Sequence, residues 1–179
     1  MRSVRHVAPV LCIALSCIQS ACADERSASL VDAFQSVCMA DVPNFARLDA
    51  RAAEENLAVK MEAGIPRRNG PFNHIKTWSV ASPTGTYDLT AAEAGGPAGL
   101  VTSCTISASD GAGEETRENL MQALKLGPPE REASSNGSRR SAWRVQIHSE
   151  SMILLFLDMT PSNASGVELN VTYRVAAGS

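Results

Sequence analysis

The chain has 179 residues, 20% of them charged, with 16 basic against 19 acidic side chains and a formal net charge of −3. That length points to one domain, and the acidic balance argues against nucleic acid as a partner, because neutralising phosphates requires a basic face. Five cysteines are present, and where they fall decides most of what the sequence says about compartment.

Residues 1–23 read as a secretory signal outside the fold. Arg2, Arg5 and His6 form a basic start, and Val7 to Ile18 an apolar run of about 12 residues. Ala21-Cys22-Ala23 then places small residues where a signal peptidase reads them, ahead of Asp24-Glu25-Arg26. The apolar run is shorter than the roughly 20 residues a permanent membrane helix needs. Cys22 opens a second route, because Ser20-Ala21-Cys22 resembles the end of a bacterial lipoprotein signal, in which the cysteine is acylated. Gln19 departs from that pattern, which has an aliphatic residue there. The expected location is periplasmic or secreted, with a lipoprotein tethered to the membrane through Cys22 as the alternative. Loss of 1–23 leaves 156 residues, with 14 basic against 19 acidic side chains and a net charge near −5. These form one domain, 24–179, with 24–28 and 176–179 expected to be flexible.

Cys38 and Cys104 are the cysteines that survive export. An even number in an oxidising compartment favours a bridge; two separately buried thiols, or zinc without the usual paired spacing, are the other readings. A bridge would close a loop of roughly 65 residues, which the chain-entropy relation values at about 4 kcal/mol as an upper figure.

In chain order, Ser29 and Asp32 resemble a capping box. Leu30, Phe34, Val37 and Cys38 fall on one helical face, ending near Asp41 before Pro43. Asn44 caps a second helix, expected to run from Phe45 to about Ala63 and to stop at Gly64. Ile65 to Asn73 is a breaker-rich loop with Arg67 and Arg68 at its tip, a pair able to hold an anion. From Ile75 the apolar period changes to 2. Lys76–Val80 and Thr86–Thr90 flank Ser82-Pro-Thr-Gly85 as a hairpin with a turn of four or five residues. Gly95 to Gly99 is a loop without the features of a nucleotide loop. Leu100–Ala108 is a strand with Cys104 on its apolar side.

Glu114 to Leu126 forms the third helix, acidic at its start and stopped by Gly127-Pro128-Pro129. Residues 129–141 read as a mobile loop. Trp143, Val145 and Ile147 alternate with polar residues in a half-buried strand. Met152–Leu157 is apolar without alternation, as expected of a central strand covered on both faces. Val167–Val175 alternates again. No internal repeat or heptad is visible. The expected fold is α+β, a mostly antiparallel sheet of five or six strands packed against three helices.

The sequence carries few signatures of chemistry. There is no Gly-x-Ser-x-Gly, no zincin signature, and no cofactor or metal is expected. His148, Glu150 and Arg144 are the candidate catalytic residues, placed on one wet strand face where an imidazole and a carboxylate could act as acid and base. His74 is expected to hydrogen bond to backbone at a loop–strand junction. Asp88 and Asp158 sit at places where a pocket could begin, and Trp78 and Trp143 are core aromatics or stacking platforms.

Phe34-x-x-x-Cys38, the Ala- and Glu-rich stretch closing at Gly64, Trp78 and Cys104 together resemble a group of small exported proteobacterial proteins. The resemblance spans roughly residues 28–125 and implies export and a disulfide, but carries no activity. The functional expectation is a non-enzymatic envelope module, inhibitor- or immunity-like, that binds an envelope protein or a small ligand. The alternative is an enzyme with its site around His148.

Overall fold

The computed structural model describes residues 13–40, 42–64, 72–97, 99–135, 137–159 and 166–176, with side chains from residue 25 onward apart from Phe72. The helices are α1 (Ile13–Val37), α2 (Phe45–Glu54) and α3 (Gly113–Ala123). The strands are β1 (Ala58–Ala63), β2 (Phe72–Ser82), β3 (Gly85–Gly96), β4 (Gly99–Ala108), β5 (Arg131–Ser135), β6 (Ser138–Ile147), β7 (Glu150–Asp158) and β8 (Val167–Ala176). All eight form one antiparallel sheet, in the order β1-β2-β3-β4-β8-β7-β6-β5. The α+β class and the three helices agree with the sequence reading; the expected count of five or six strands is too low.

Both missed strands lie where local composition misleads. The second helix does not reach Ala63. Asn56 takes a left-handed φ of 54°, and the Leu57 and Asn56 amides donate to the carbonyls of Ala52 and Ala53 at 2.9 and 3.1 Å. This pair of bonds closes the helix at Glu54, and the chain then enters β1. At the other edge, residues 131–135 and 138–141 are strand rather than loop: β5 and β6 pair from Arg131↔Ala142 to Ser135↔Ser138, and the sequence between them is Asn-Gly, the dipeptide that favours a two-residue hairpin turn. The β2–β3 connection is likewise a two-residue turn, closed by Ser82↔Gly85. Gly95 and Gly96 belong to β3 rather than to a loop.

The strand order is symmetric about the β4–β8 seam, and after α1 each half runs one helix then four strands. In both halves the rows match at an offset of 65 residues. Trp78 pairs with Leu89 and Leu89 with Ile106, as Trp143 pairs with Leu154 and Leu154 with Val171. All six side chains are buried. Helix endings also correspond, because Lys125 repeats the role of Asn56 with φ 52° and with Leu126 and Lys125 amides bonded to Met121 and Gln122 carbonyls. The two halves are therefore a topological repeat that the sequence does not announce.

All three helices cover one face. α2 packs over β3, α1 over β4 and α3 over both α1 and β7. Side chains alternate between faces along a strand, so Thr102, Cys104, Ile106 and Ala108 are buried beneath α1. Leu30, Phe34 and Cys38 bury the matching face of that helix, and Cys38 is bonded to Cys104 with Cα atoms 5.4 Å apart. The expected helix-to-strand disulfide is present, and the two other readings of the thiols fall away.

α1 departs from expectation at its start. It runs unbroken from Ile13, so Ser29 lies inside it and caps nothing. Residues 25–28 are also helical, with Arg26 and Ser27 buried, against the flexible segment expected there. Arg26 reaches the Thr86 carbonyl and the Asp110 carboxylate, the latter at 3.0 Å, and its guanidinium lies against Gly85, where an added Cβ would stand 3.0 Å away. Thr116 donates to the Ser27 hydroxyl at 3.1 Å, joining α3 to α1.

The disulfide closes a loop of 66 residues, which the loop-entropy relation values at up to about 4 kcal/mol. Reduction is therefore expected to lower the melting temperature by up to roughly 8–16 °C at about 2–4 °C per kcal/mol. Scanning calorimetry with and without reductant checks this, and equal melting would contradict it.

Candidate functional site

The helices leave the other face of the sheet open, and the period of 2 fixes which residues stand on it. In the first half these include Ile75, Thr77 and Ser79 of β2 and Asp88, Thr90 and Ala92 of β3. Their equivalents in the second half are Arg140, Ala142 and Arg144 of β6 and Ile153, Leu155 and Leu157 of β7. β7 was expected to be covered on both faces. It is covered on one: Met152, Leu154 and Phe156 are buried, whereas Ile153 is 50% exposed. An apolar run without alternation, in a sheet with helices on one side, has to put every second apolar side chain outside.

The two halves treat this face differently. First-half polar groups pair among themselves or with the seam. The Thr77 and Thr90 hydroxyls lie 2.9 Å apart, Lys60 donates to both Asp88 oxygens at 2.7 and 2.9 Å, and Asn170 donates to Thr105 at 2.7 Å. Second-half arginines are less tied. Arg144 has one ion pair, to Glu130 at 3.8 Å, with both side chains more than half exposed. Arg131 and Arg174 make no ion pair or side-chain hydrogen bond among the described residues. Such exposed charge contacts hold little energy, so these guanidinium groups are available to a partner. Glu168 shares the β8 side of the face. Its burial pushes the carboxyl above its ordinary range, and the Arg140 charge pulls it part of the way back.

The face is concave over β5, β6 and β7. A cavity of about 830 Å³ is lined by the cations Arg131, Arg140 and Arg144, the acids Glu130 and Glu132, and apolar residues that include Ile153 and Leu155. A second recess of about 370 Å³ shares Arg144 and Ile153 with it and adds Thr172 and Arg174. The result is a stripe of aliphatic side chains along β7 with arginines on both flanks. It can hold an apolar group and an anion together. No group of three His, Cys, Asp or Glu suited to a metal exists among the described residues.

No family model, curated protein or solved structure matches the chain. No helix among the described residues is long and apolar enough to cross a membrane.

The three sequence-predicted catalytic residues do not converge. β6 ends at Ile147, and His148 and Ser149 form a two-residue turn with φ of 48° and 72°, as a hairpin turn of this type requires. His148 is thus not on a strand face; its Nε2 lies 3.4 Å from the Ala40 carbonyl. Because the turn reverses the chain, Glu150 stands opposite Ile147 on the helix side and accepts from the Tyr173 hydroxyl at 3.0 Å. Arg144 stands on the open side. Of the three, only Arg144 belongs to the cavity.

The remaining candidates have structural jobs. Trp78 and Trp143 are core, the latter donating Nε1–H to the Gly127 carbonyl at 2.9 Å. The Asp158 carboxylate sits against Gly113 at the start of α3, where an added Cβ would come within 2.2 Å of its oxygen; it fits the positive end of that helix. Arg67 and Arg68 lie outside the described residues. Sequence reasoning missed Ile153, Leu155, Arg140 and Arg131, although six successive apolar residues at 152–157 were their signal.

His74 lies at the start of α2 rather than at an open site, and it bonds a side chain where a backbone partner was expected. It is buried against Phe45, ring centroids 4.1 Å apart, and its Nε2 donates to Glu62 at 3.1 Å. Lys76 bonds Asp49 at 2.7 Å and approaches Glu62 at 3.5 Å. The His74 bond, aided by the Lys76 charge, holds the Glu62 carboxyl below its ordinary value of 4.5. A depressed carboxyl stabilises the fold above the unfolded pKa and loses that contribution as pH falls through the folded one. Lys76 is raised above 10.5, chiefly by its Asp49 bond, and its contribution is lost only as pH rises through the raised value. The melting temperature should therefore fall on acidification below about pH 4.5, and Glu62→Gln should flatten that limb. An identical acid limb in the variant would show that Glu62 is not the group responsible.

Proposed function

We propose that the protein is an exported, non-enzymatic binding module of the cell envelope, and that the arginine-flanked stripe of β6, β7 and β8 is its contact surface. One observation carries this reading. At equivalent positions in two halves with the same topology, Thr77, Ser79, Asp88 and Thr90 are replaced by Ala142, Arg144, Ile153 and Leu155. The fold tolerates small polar residues there, so packing does not require the apolar ones. Single exposed aliphatic residues are ordinary, whereas a contiguous row rimmed by polar groups marks an interaction site.

Export is supported by the composition of residues 1–23 and by the disulfide, which belongs to an oxidising compartment. Arg26 and Ser27 are the first described buried side chains, and both lie beyond Ala23, so cleavage there would leave these contacts in place. Acylation at Cys22 would instead hold the domain on a membrane surface by a short tether. The partner class is an envelope protein or a small ligand, in the manner of an inhibitor or accessory factor. The separation of His148, Glu150 and Arg144 speaks against the alternative site around His148 and leaves the arginine-flanked face as the supported surface.

The test is retention from envelope extract on the immobilised mature domain, with protein and organic eluates both analysed by mass spectrometry. The wild type should retain a saturable occupant. Arg140→Glu with Arg144→Glu should weaken retention by at least about tenfold, while Ser79→Glu, at the position equivalent to Arg144, should leave it intact. Equal behaviour of the two variants, or no saturable occupant, would overturn the proposal.

A further inference from the structure

We infer that the occupant of this face is a single-chain aliphatic anion, its chain along Ile153, Leu155 and Leu157 and its carboxylate or phosphate head between Arg144 and Arg174. This rests on the binding-module reading and names its ligand class. Shape is the first argument. The apolar surface is one strand wide: on β6 it is bordered by Arg140, Ala142 and Arg144, and on β8 by Glu168, Asn170 and Thr172. From Ile153 to Leu157 the stripe runs about 13 Å at the usual strand rise. A linear chain covers such a stripe, whereas a protein partner of ordinary size buries about 800 Å² on each side. The cavity, about 830 Å³, falls in the range of small-molecule sites.

Charge sets the direction of the chain. The end near Leu157 is flanked by Arg140 on β6 and Glu168 on β8, whose charges offset each other, so it offers an anionic head no net attraction. At the other end Arg144 lies across from Ile153 on β6, and Thr172 on β8. Arg144 and Arg174 line the same recess of about 370 Å³, together with Ser151 and Thr172. The two guanidinium groups and the Ser151 hydroxyl are donors suited to a carboxylate or phosphate, while the Thr172 hydroxyl donates to Asn170 at 2.9 Å. The one acid at Arg144, Glu130, is 57% exposed and 3.8 Å away, so an incoming head displaces little. The first half has none of this, since Asp88 occupies the position of Ile153.

The test is calorimetric titration of the oxidised mature domain with monomeric dodecanoate and dodecyl phosphate. Dodecyl maltoside, inorganic phosphate and phosphatidylglycerol vesicles are the comparison probes. Both single-chain anions should bind saturably at one site, the neutral maltoside at least about tenfold more weakly, and phosphate alone not at all. Arg144→Glu with Arg174→Glu, and separately Ile153→Ser with Leu155→Ser, should each weaken dodecanoate by at least about tenfold. Ser79→Glu should not, and unchanged melting of each variant certifies its fold. Equal affinity for the maltoside, insensitivity to either double substitution, binding of vesicles but not of monomers, or an acidic protein as the sole retained occupant would each overturn this inference. In that last case the binding-module proposal would stand; loss of all occupants, protein included, would end both.

Discussion

Every feature of the molecule follows from helices on one side of the sheet only. α1 is fastened to the middle of the sheet by Cys38–Cys104, with α2 over β3 on one flank and α3 over β7 on the other. Strand residues that point toward the helices are then mostly apolar: Trp78, Leu89, Ile106, Leu169 and Phe156 form one continuous buried row, and Trp143, Leu154, Val171 and Cys104 the row beside it. Residues that point away face water and are free of that demand. The chemistry placed there reflects something other than folding.

The near-symmetry of the two halves separates folding from use. Paired indoles, paired leucines and left-handed helix ends at Asn56 and Lys125 recur because each half solves the same packing problem. The open-face positions do not recur. The first half meets its polar needs internally, through Thr77–Thr90 and Lys60–Asp88, and its exposed apolar side chain on this side is Met61 of the edge strand, opposite Thr77. The second presents Ile153, Leu155 and Leu157 among arginines, an arrangement that gains from burial only when something lies on it.

Much of the architecture could be read from the residues. The Asn44 cap, confirmed by its bond from the Arg47 amide at 3.0 Å, the inward faces of Phe34 and Cys38, the third helix and the alternation of β8 all rest on local patterns with a physical cause. β1 was hidden because Ala58–Ala63 continues an Ala- and Glu-rich stretch whose local preference is helical, and only the left-handed Asn56 breaks it. β5 was hidden because its five residues are all exposed and offer no apolar alternation. The repeat was hidden because its offset is 65 in the strands but 68 between the first residues of α2 and α3.

The site was less legible for a different reason. Whether β7 is covered on one face or two is a property of the whole sheet, and nothing in Met152–Leu157 states it. Arg144 was singled out, but with His148 and Glu150, because strand alternation was carried through a turn that reverses it. The most direct test of the central claim is methyl NMR of isoleucine- and leucine-labelled protein titrated with envelope extract. Resonances of Ile153, Leu155 and Leu157 should shift while Ile75, Leu89, Ile106 and Leu169 stay in place. Shifts centred on Ile75, or none on the open face, would contradict it.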